Sequence, residues 1–156
     1  MTQYLKTMAS IEWYTPQYVF DALGTVFDLD PCSPPLEIHA TPAKQHYVLP
    51  NNDGLTDSWQ GLVWLNPPYG KGINLWMHKL ANHNNGIALV PVTALSNKWF
   101  HEIENKLTAI CFIKGRVNFK GMTNRNQAPH GSMLLAFGQM SKVILQNCNL
   151  GSVWTK

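Results

Sequence analysis

The chain has 156 residues, 45% of them hydrophobic and only 13% charged, and a formal net charge of +3. That is about one ordinary domain with enough apolar content for a core, and a low charged share argues against a disordered tail. No apolar run approaches the roughly 18 residues of a membrane span, and residues 1–10 lack the charged-then-apolar-then-small order of a secretion signal.

Thr15-Pro16 predicts a helix start, with Thr15 as N-cap and Pro16 in the first helical position. Tyr18, Val19, Phe20, Ala22 and Leu23 then face the core, and Gly24 ends the helix. Residues 26–30 read as a short strand; residues 31–46, with four prolines and little periodicity, read as a loop. Residues 62–65 read as a buried strand that stops at Asn66-Pro67-Pro68, because proline cannot continue a central ladder. A helix over 73–82, a strand over 87–92, a helix over 98–106 and a strand over 108–113 follow, then the segment 116–119. Residues 120–130 form a polar loop, and 133–137 and 143–145 read as closing strands. The alternation in the middle of the chain predicts an α/β fold over residues 1–156 as a single domain. Its sheet is expected to be mostly parallel with an antiparallel C-terminal edge. Ligands bind such sheets beyond the carboxyl ends of the strands.

The charges divide unevenly. Residues 1–97 hold four lysines against seven acids, and residues 98–156 hold eight basic residues against Glu102 and Glu104. The later half is therefore suited to a polyanion and the earlier half to a cationic or amine-bearing ligand. Lys114, Arg116, Lys120 and Arg125, with Phe119 interleaved, are the candidates for contact with nucleic-acid phosphates. The cysteines Cys32, Cys111 and Cys148 show neither a disulfide framework nor zinc-ligand spacing, which fits a reducing cytoplasm. The six histidines form no paired metal-binding motif, so no metal is expected.

Asn66-Pro67-Pro68-Tyr69 carries the chemistry. An aromatic exocyclic amine is a poor nucleophile because its lone pair is delocalised into the ring. Two acceptors that receive both N–H bonds localise the lone pair and stabilise the positive charge that grows during displacement. The Asn66 side-chain oxygen and the Pro67 carbonyl are those acceptors, the two prolines pre-aim the backbone, and Tyr69 offers a face on which a base stacks. The pattern predicts methyl transfer to a planar amine.

Asp30-Pro31-Cys32-Ser33 lies at an earlier strand end, where Asp30 is placed to bind a ligand ammonium. Asp53, beside Gly54, is a second carboxylate candidate, and Trp13, Tyr14 and Thr15 either wall a ligand or staple the helix start. Pro31-Cys32 is similar to the nucleophilic pair of cytosine C5 methyltransferases. Direct transfer to nitrogen needs no covalent intermediate, however, so Cys32 is read as a ligand-side residue.

The pieces EWYTPQYVFDALG, FDLDPCSPP, DGLTDSWQGLVWLNPPYG, LVPVTALSNKWF, FIKGRVNF and GSMLLAFG, in order from about residue 12 to 138, resemble the phage-encoded DNA N-6-adenine methyltransferases, the small Dam-type family. The resemblance implies a Rossmann-like methyltransferase fold of reduced size, S-adenosylmethionine as methyl donor and adenine in double-stranded DNA as substrate. It implies catalytic roles for Asn66, Pro67, Pro68 and Tyr69, cofactor contacts around Thr15 and Asp30, and protection of phage DNA from restriction as a purpose. The glycine-rich first motif of larger adenine methyltransferases is missing, and so is an inserted target-recognition domain. Two other readings stay open: an amine methyltransferase of RNA or of protein glutamine, and a nucleic-acid-binding protein that keeps the fold without catalysis.

Overall fold

Consecutive residues of the central strands are buried on both sides, which requires cover on both faces of the sheet. In the computed structural model, which describes residues 13–37, 41–121 and 128–156, that cover is four helices. Val63, Leu65, Ala88 and Val90 pack with Trp76, Met77, Leu80, Trp99, Phe100 and Ile103 on one face. Trp64, Ile87 and Leu89 pack with Val19, Phe20, Leu23 and Leu145 on the other. The elements in chain order are β1 (Trp13–Tyr14), α1 (Gln17–Leu23), β2 (Phe27–Asp30), β3 (Ala43–His46), β4 (Val63–Leu65), α2 (Ile73–His83), β5 (Gly86–Pro91), α3 (Lys98–Ile103), β6 (Ala109–Ile113), β7 (Lys120–Gly121), β8 (Ser132–Phe137), α4 (Gln139–Asn147) and β9 (Gly151–Thr155). Short 3₁₀ turns at Val92–Ser96 and Glu104–Lys106 flank α3.

Seven strands form one sheet in the order β3-β2-β4-β5-β8-β6-β9, and β1 and β7 form a separate two-stranded ribbon. β3, β2, β4 and β5 run parallel; β8 is antiparallel to both β5 and β6, so β6 points the same way as β5. Five strands thus share one direction, and only β8 and β9 oppose it. This is the mostly parallel sheet with an antiparallel C-terminal edge that the sequence predicts. From β2 the chain steps outward to β3 and then crosses back to β4 on the other side of β2. The strand order reverses there, and a crevice opens between the carboxyl ends of β2 and β4. Asp30 ends β2, and Asn66 follows the last residue of β4.

Four expectations need correction. Residues 43–46 are not loop but the edge strand β3, paired as Phe27↔Ala43, Leu29↔Gln45 and Asp30↔His46. Its half-exposed Ala-Lys-Gln-His has no apolar alternation, so no side-chain pattern marked it. Residues 143–145 are not a strand but the last part of α4; the short Val-Ile-Leu run suggested a strand, yet Ser141, Leu145 and Cys148 are buried at helical spacing. The true closing strand is β9, at the sheet edge. Thr15 does not cap α1, which begins at Gln17 after an extended Pro16 and has no side-chain cap bond. Gly24 ends that helix in the left-handed region as predicted, its N–H donating to Phe20 O. Tyr18, expected inside, is 44% exposed. The scattered Cys111 and Cys148 meet in the core, their sulfurs 3.9 Å apart as free thiols.

Gly54 shows how closely the crevice floor is packed. A Cβ there would run into the Pro31 carbonyl oxygen and lie 2.7 Å from the Trp76 ring. Backbone cannot yield as a flexible side chain can. Gly54→Ala is therefore expected to cost about 1–3 kcal/mol, measured by urea unfolding.

Candidate active site

The Asn66 side chain is held by its nitrogen. Nδ2 donates to Trp13 O at 2.7 Å and to Thr15 Oγ1 at 3.2 Å. The Trp13 carbonyl can only accept, so it fixes which end of the amide faces it. The Asn66 oxygen is thereby turned away as an acceptor. Pro67, buried, and Pro68 carry the chain out of β4, so the Pro67 carbonyl stands beyond the sheet ladder. Thr15 thus has a positioning duty in place of the capping one expected of it.

Tyr69 closes the tetrad. Its hydroxyl donates to Leu89 O at 3.2 Å, and burial raises its phenol above the ordinary range, so it stays protonated. Its ring meets Trp13 edge-on (centroids 5.8 Å apart, planes at 80°) and Phe119 likewise (6.4 Å, 88°). Trp13 and Phe119 complete the triangle at 5.4 Å. Phe119, read from sequence as interleaved among phosphate-binding residues, is instead buried in this aromatic wall.

A cavity of about 340 Å³ lies between the β2 and β4 ends, within the size range of small-ligand sites. Every residue predicted to bind a ligand lines it: Trp13, Thr15, Asp30, Pro31, Cys32 and Asp53. So do Asn66, Pro67, Pro68 and Tyr69. Asp30 is 2% exposed. Its Oδ1 accepts the Cys32 N–H at 3.1 Å, closing a tight turn where larger enzymes use glycines. Burial pushes its carboxyl up to about 6, against the hydrogen bonds from Thr41 and Cys32 and the charge of His46. A buried carboxylate of this kind gains by meeting a cation. Asp53 uses Oδ1 to accept the Leu55 N–H at 2.9 Å, while its own N–H donates to Asp57 Oδ2 at 3.0 Å. It is both a turn residue and a cavity wall.

Tyr47 and Trp76 are also cavity walls, and no sequence signal marked them. Tyr47 is tied by its hydroxyl to Ser58 O at 2.8 Å, and Trp76 lies on α2 at spacing that reads only as core. Of the basic candidates, Lys114 and Arg116 are exposed just past the carboxyl end of β6, on the same edge of the sheet as Asn66. The Lys120 backbone pairs with Tyr14 in the β1–β7 ribbon, and Arg125 lies outside the described residues. Among the described residues no group of three or more His, Cys, Asp or Glu is placed to hold a metal ion, and no helix is long and apolar enough to cross a membrane.

A mostly parallel sheet covered on both faces, with an Asn-Pro-Pro-Tyr at the strand end beside the switch point, defines a small Rossmann-like methyltransferase fold. The chain matches the DNA N-6-adenine-methyltransferase (Dam) family over residues 4–151 and belongs to that family. No curated protein and no solved structure gives a significant match.

Asp30 also predicts a pH effect on stability. Its folded-state value near 6 lies above the roughly 3.9 of an unfolded aspartate. Its favourable contribution is therefore fully present below about pH 4 and lost as pH rises through 6, a change on the order of 3 kcal/mol. In Asp30→Asn this dependence is absent. The melting temperature of the variant relative to wild type should rise between about pH 4 and pH 7, read by thermal unfolding at constant ionic strength.

Proposed function

We propose that this chain transfers a methyl group from S-adenosylmethionine to N6 of an adenine swung out of duplex DNA. The observation that carries the reading is the Asn66 amide, locked through its nitrogen so that its oxygen is a fixed acceptor beside the Pro67 carbonyl. An acceptor fixed before substrate arrives needs no reorganisation in the transition state, where it counts most.

The residues present fit the cofactor. Asp30 would hold its methionine ammonium, which explains a carboxylate kept buried at the end of β2. Asp53 would take the adenine amino group on the oxygen not used in its turn, and Trp13, Pro31 and Cys32 would supply apolar walls. When bound, S-adenosylmethionine supplies a methyl on a positively charged sulfur, ready for displacement by a nucleophile. The protein's part is to present the amine. The Asn66 oxygen and the Pro67 carbonyl each accept one N–H, drawing the nitrogen toward tetrahedral geometry and stabilising its growing positive charge. Tyr69 stacks on the extracted base, its ring held by the Leu89 bond and by Trp13 and Phe119. The proton lost from nitrogen after transfer needs no buried base, since a methylated ammonium of this kind is strongly acidic. Lys114, Arg116, Lys120 and Arg125 would contact DNA phosphates.

The direct experiment incubates the protein with tritiated S-adenosylmethionine and unmethylated duplex DNA, with RNA in parallel, and analyses nucleosides. Label in N6-methyladenine from DNA is expected; label from RNA alone would replace the substrate, and none from either would remove the catalytic reading. Asn66→Ala should lower turnover by about 10²-fold or more, with cofactor affinity retained in calorimetry. Tyr69→Phe keeps the stacking face and should stay active, while Tyr69→Ala should lose about 1–3 kcal/mol of base capture, seen mainly in KM. Cofactor affinity should fall about tenfold per pH unit below the Asp30 value near 6, because only the carboxylate holds an ammonium.

A further inference from the structure

A larger cavity, about 790 Å³, adjoins the one described above, and Trp13 and Tyr69 are walls of both. Its far side is built from Gly70-Lys71-Gly72 and the start of α2, which follow directly on the tetrad, and from the start of α3 at Asn97 and Lys98. Neither helix has an acid in its first turn or a side-chain cap bond, although Asn97 stands in the capping position. In the first turn of α2, a helix of 11 residues, the Ile73 and Leu75 N–H groups donate to Gly70 O at 3.4 Å and Gly72 O at 3.0 Å. Gly72 is in the left-handed region (φ 95°), and a Cβ there would meet nothing within 4 Å, so the backbone stands open at this point.

Part of the polar lining has no partner among the described residues. Asn74 and Asn97 are exposed, and neither amide is bonded among the described residues. Trp99, 6% exposed on the cavity wall, has an indole N–H with no hydrogen-bond partner among the described residues. The charged or titratable groups on the wall are Lys71, Lys98, Glu102 and His130. Glu102 is engaged by His78 at 2.8 Å and Lys98 at 3.5 Å, and Lys71 has no ion pair among the described residues.

We propose that the larger cavity is a second nucleotide subsite, which holds the nucleotide next to the target adenine in the same DNA strand. A phosphodiester oxygen sits at Lys71, and the edge of the neighbouring base meets Asn74 and Asn97. A lysine without an ion pair of its own supplies the charge that a phosphodiester calls for. A carboxamide offers a donor and an acceptor side by side, the pairing that distinguishes base edges. The shared Trp13–Tyr69 wall puts this subsite one step from the base that Tyr69 stacks, as adjacent nucleotides require. The inference rests on the methyl-transfer reading above. It assigns sequence preference to two helix starts in a chain without a separate recognition domain.

The test uses the full chain, tritiated S-adenosylmethionine and a set of duplexes that place one adenine in every flanking context. Asn74→Ala and Asn97→Ala should shrink the wild-type spread of kcat/KM between contexts by about 5- to 100-fold, with cofactor affinity by calorimetry and melting temperature unchanged. Lys71→Ala should weaken DNA binding in all contexts alike and lower the slope of log K against log salt by about one. A wild type that methylates every context equally, Asn variants that keep the full spread, or an unchanged salt slope in Lys71→Ala would each overturn the subsite and leave the methyl-transfer reading intact. A wild type that methylates no duplex would overturn both.

Discussion

The site depends on one bond between distant parts of the chain, from the Asn66 amide nitrogen to the Trp13 carbonyl. Without it the Asn66 side chain would be free to present either end of its amide, and half of its orientations would offer a donor where an acceptor is needed. The bond links the end of β4 to β1, which lies outside the main sheet. Thr15 adds a second acceptor for the same nitrogen, and the Trp13 ring continues into the aromatic wall with Tyr69 and Phe119. One short segment therefore orients the Asn66 amide, backs the Tyr69 ring and contributes a wall to both cavities.

Electrostatics separates the roles of the two carboxylates on the smaller cavity. Asp30 is buried and held by a compact turn, so its charge is costly in the free protein and rewarding once a cation arrives. Asp53 spends one oxygen on its own turn, which Asp57 reinforces from four residues away. Lys79 extends this support: it donates to Leu55 O at 3.0 Å and lies 5.0 Å from the centre of the Trp59 ring. The loop that contributes Asp53 is thus fixed from α2, the same helix that follows Asn66-Pro67-Pro68-Tyr69.

Much of this was readable in the residues. The buried run before Asn66, the helical spacing of Ile73, Trp76, Met77 and Leu80, and the left-handed Gly24 each announce their element, because burial and backbone conformation are local consequences of side-chain type. That Asp30 and Asn66 would line one cavity was legible for another reason: they stand at strand ends, and in a parallel sheet strand ends converge. What escaped was set by partners far along the chain. β3 is a strand because β2 offers it an edge, and its own side chains are half-exposed and polar. The turn of Thr15 toward Asn66 depends on a residue 51 positions away. Phe119 seemed to belong with its basic neighbours, but alternation along 116–119 sends Val117 and Phe119 inward and Arg116 and Asn118 outward.

The β1–β7 ladder is only two residue pairs long, Trp13↔Gly121 and Tyr14↔Lys120. Ladders that short fray locally at far lower free energy than a central sheet unfolds. When this one opens, the Trp13 carbonyl leaves Asn66 while β2, β4 and β5 stay paired. Warming the protein would then act in two stages, first by freeing the Asn66 amide in a way that cooling restores, and only later by melting the core. The order of the Asn66 side chain and the integrity of the sheet are separate thermal properties of this chain, and the narrower of the two is set by a ribbon outside the main sheet.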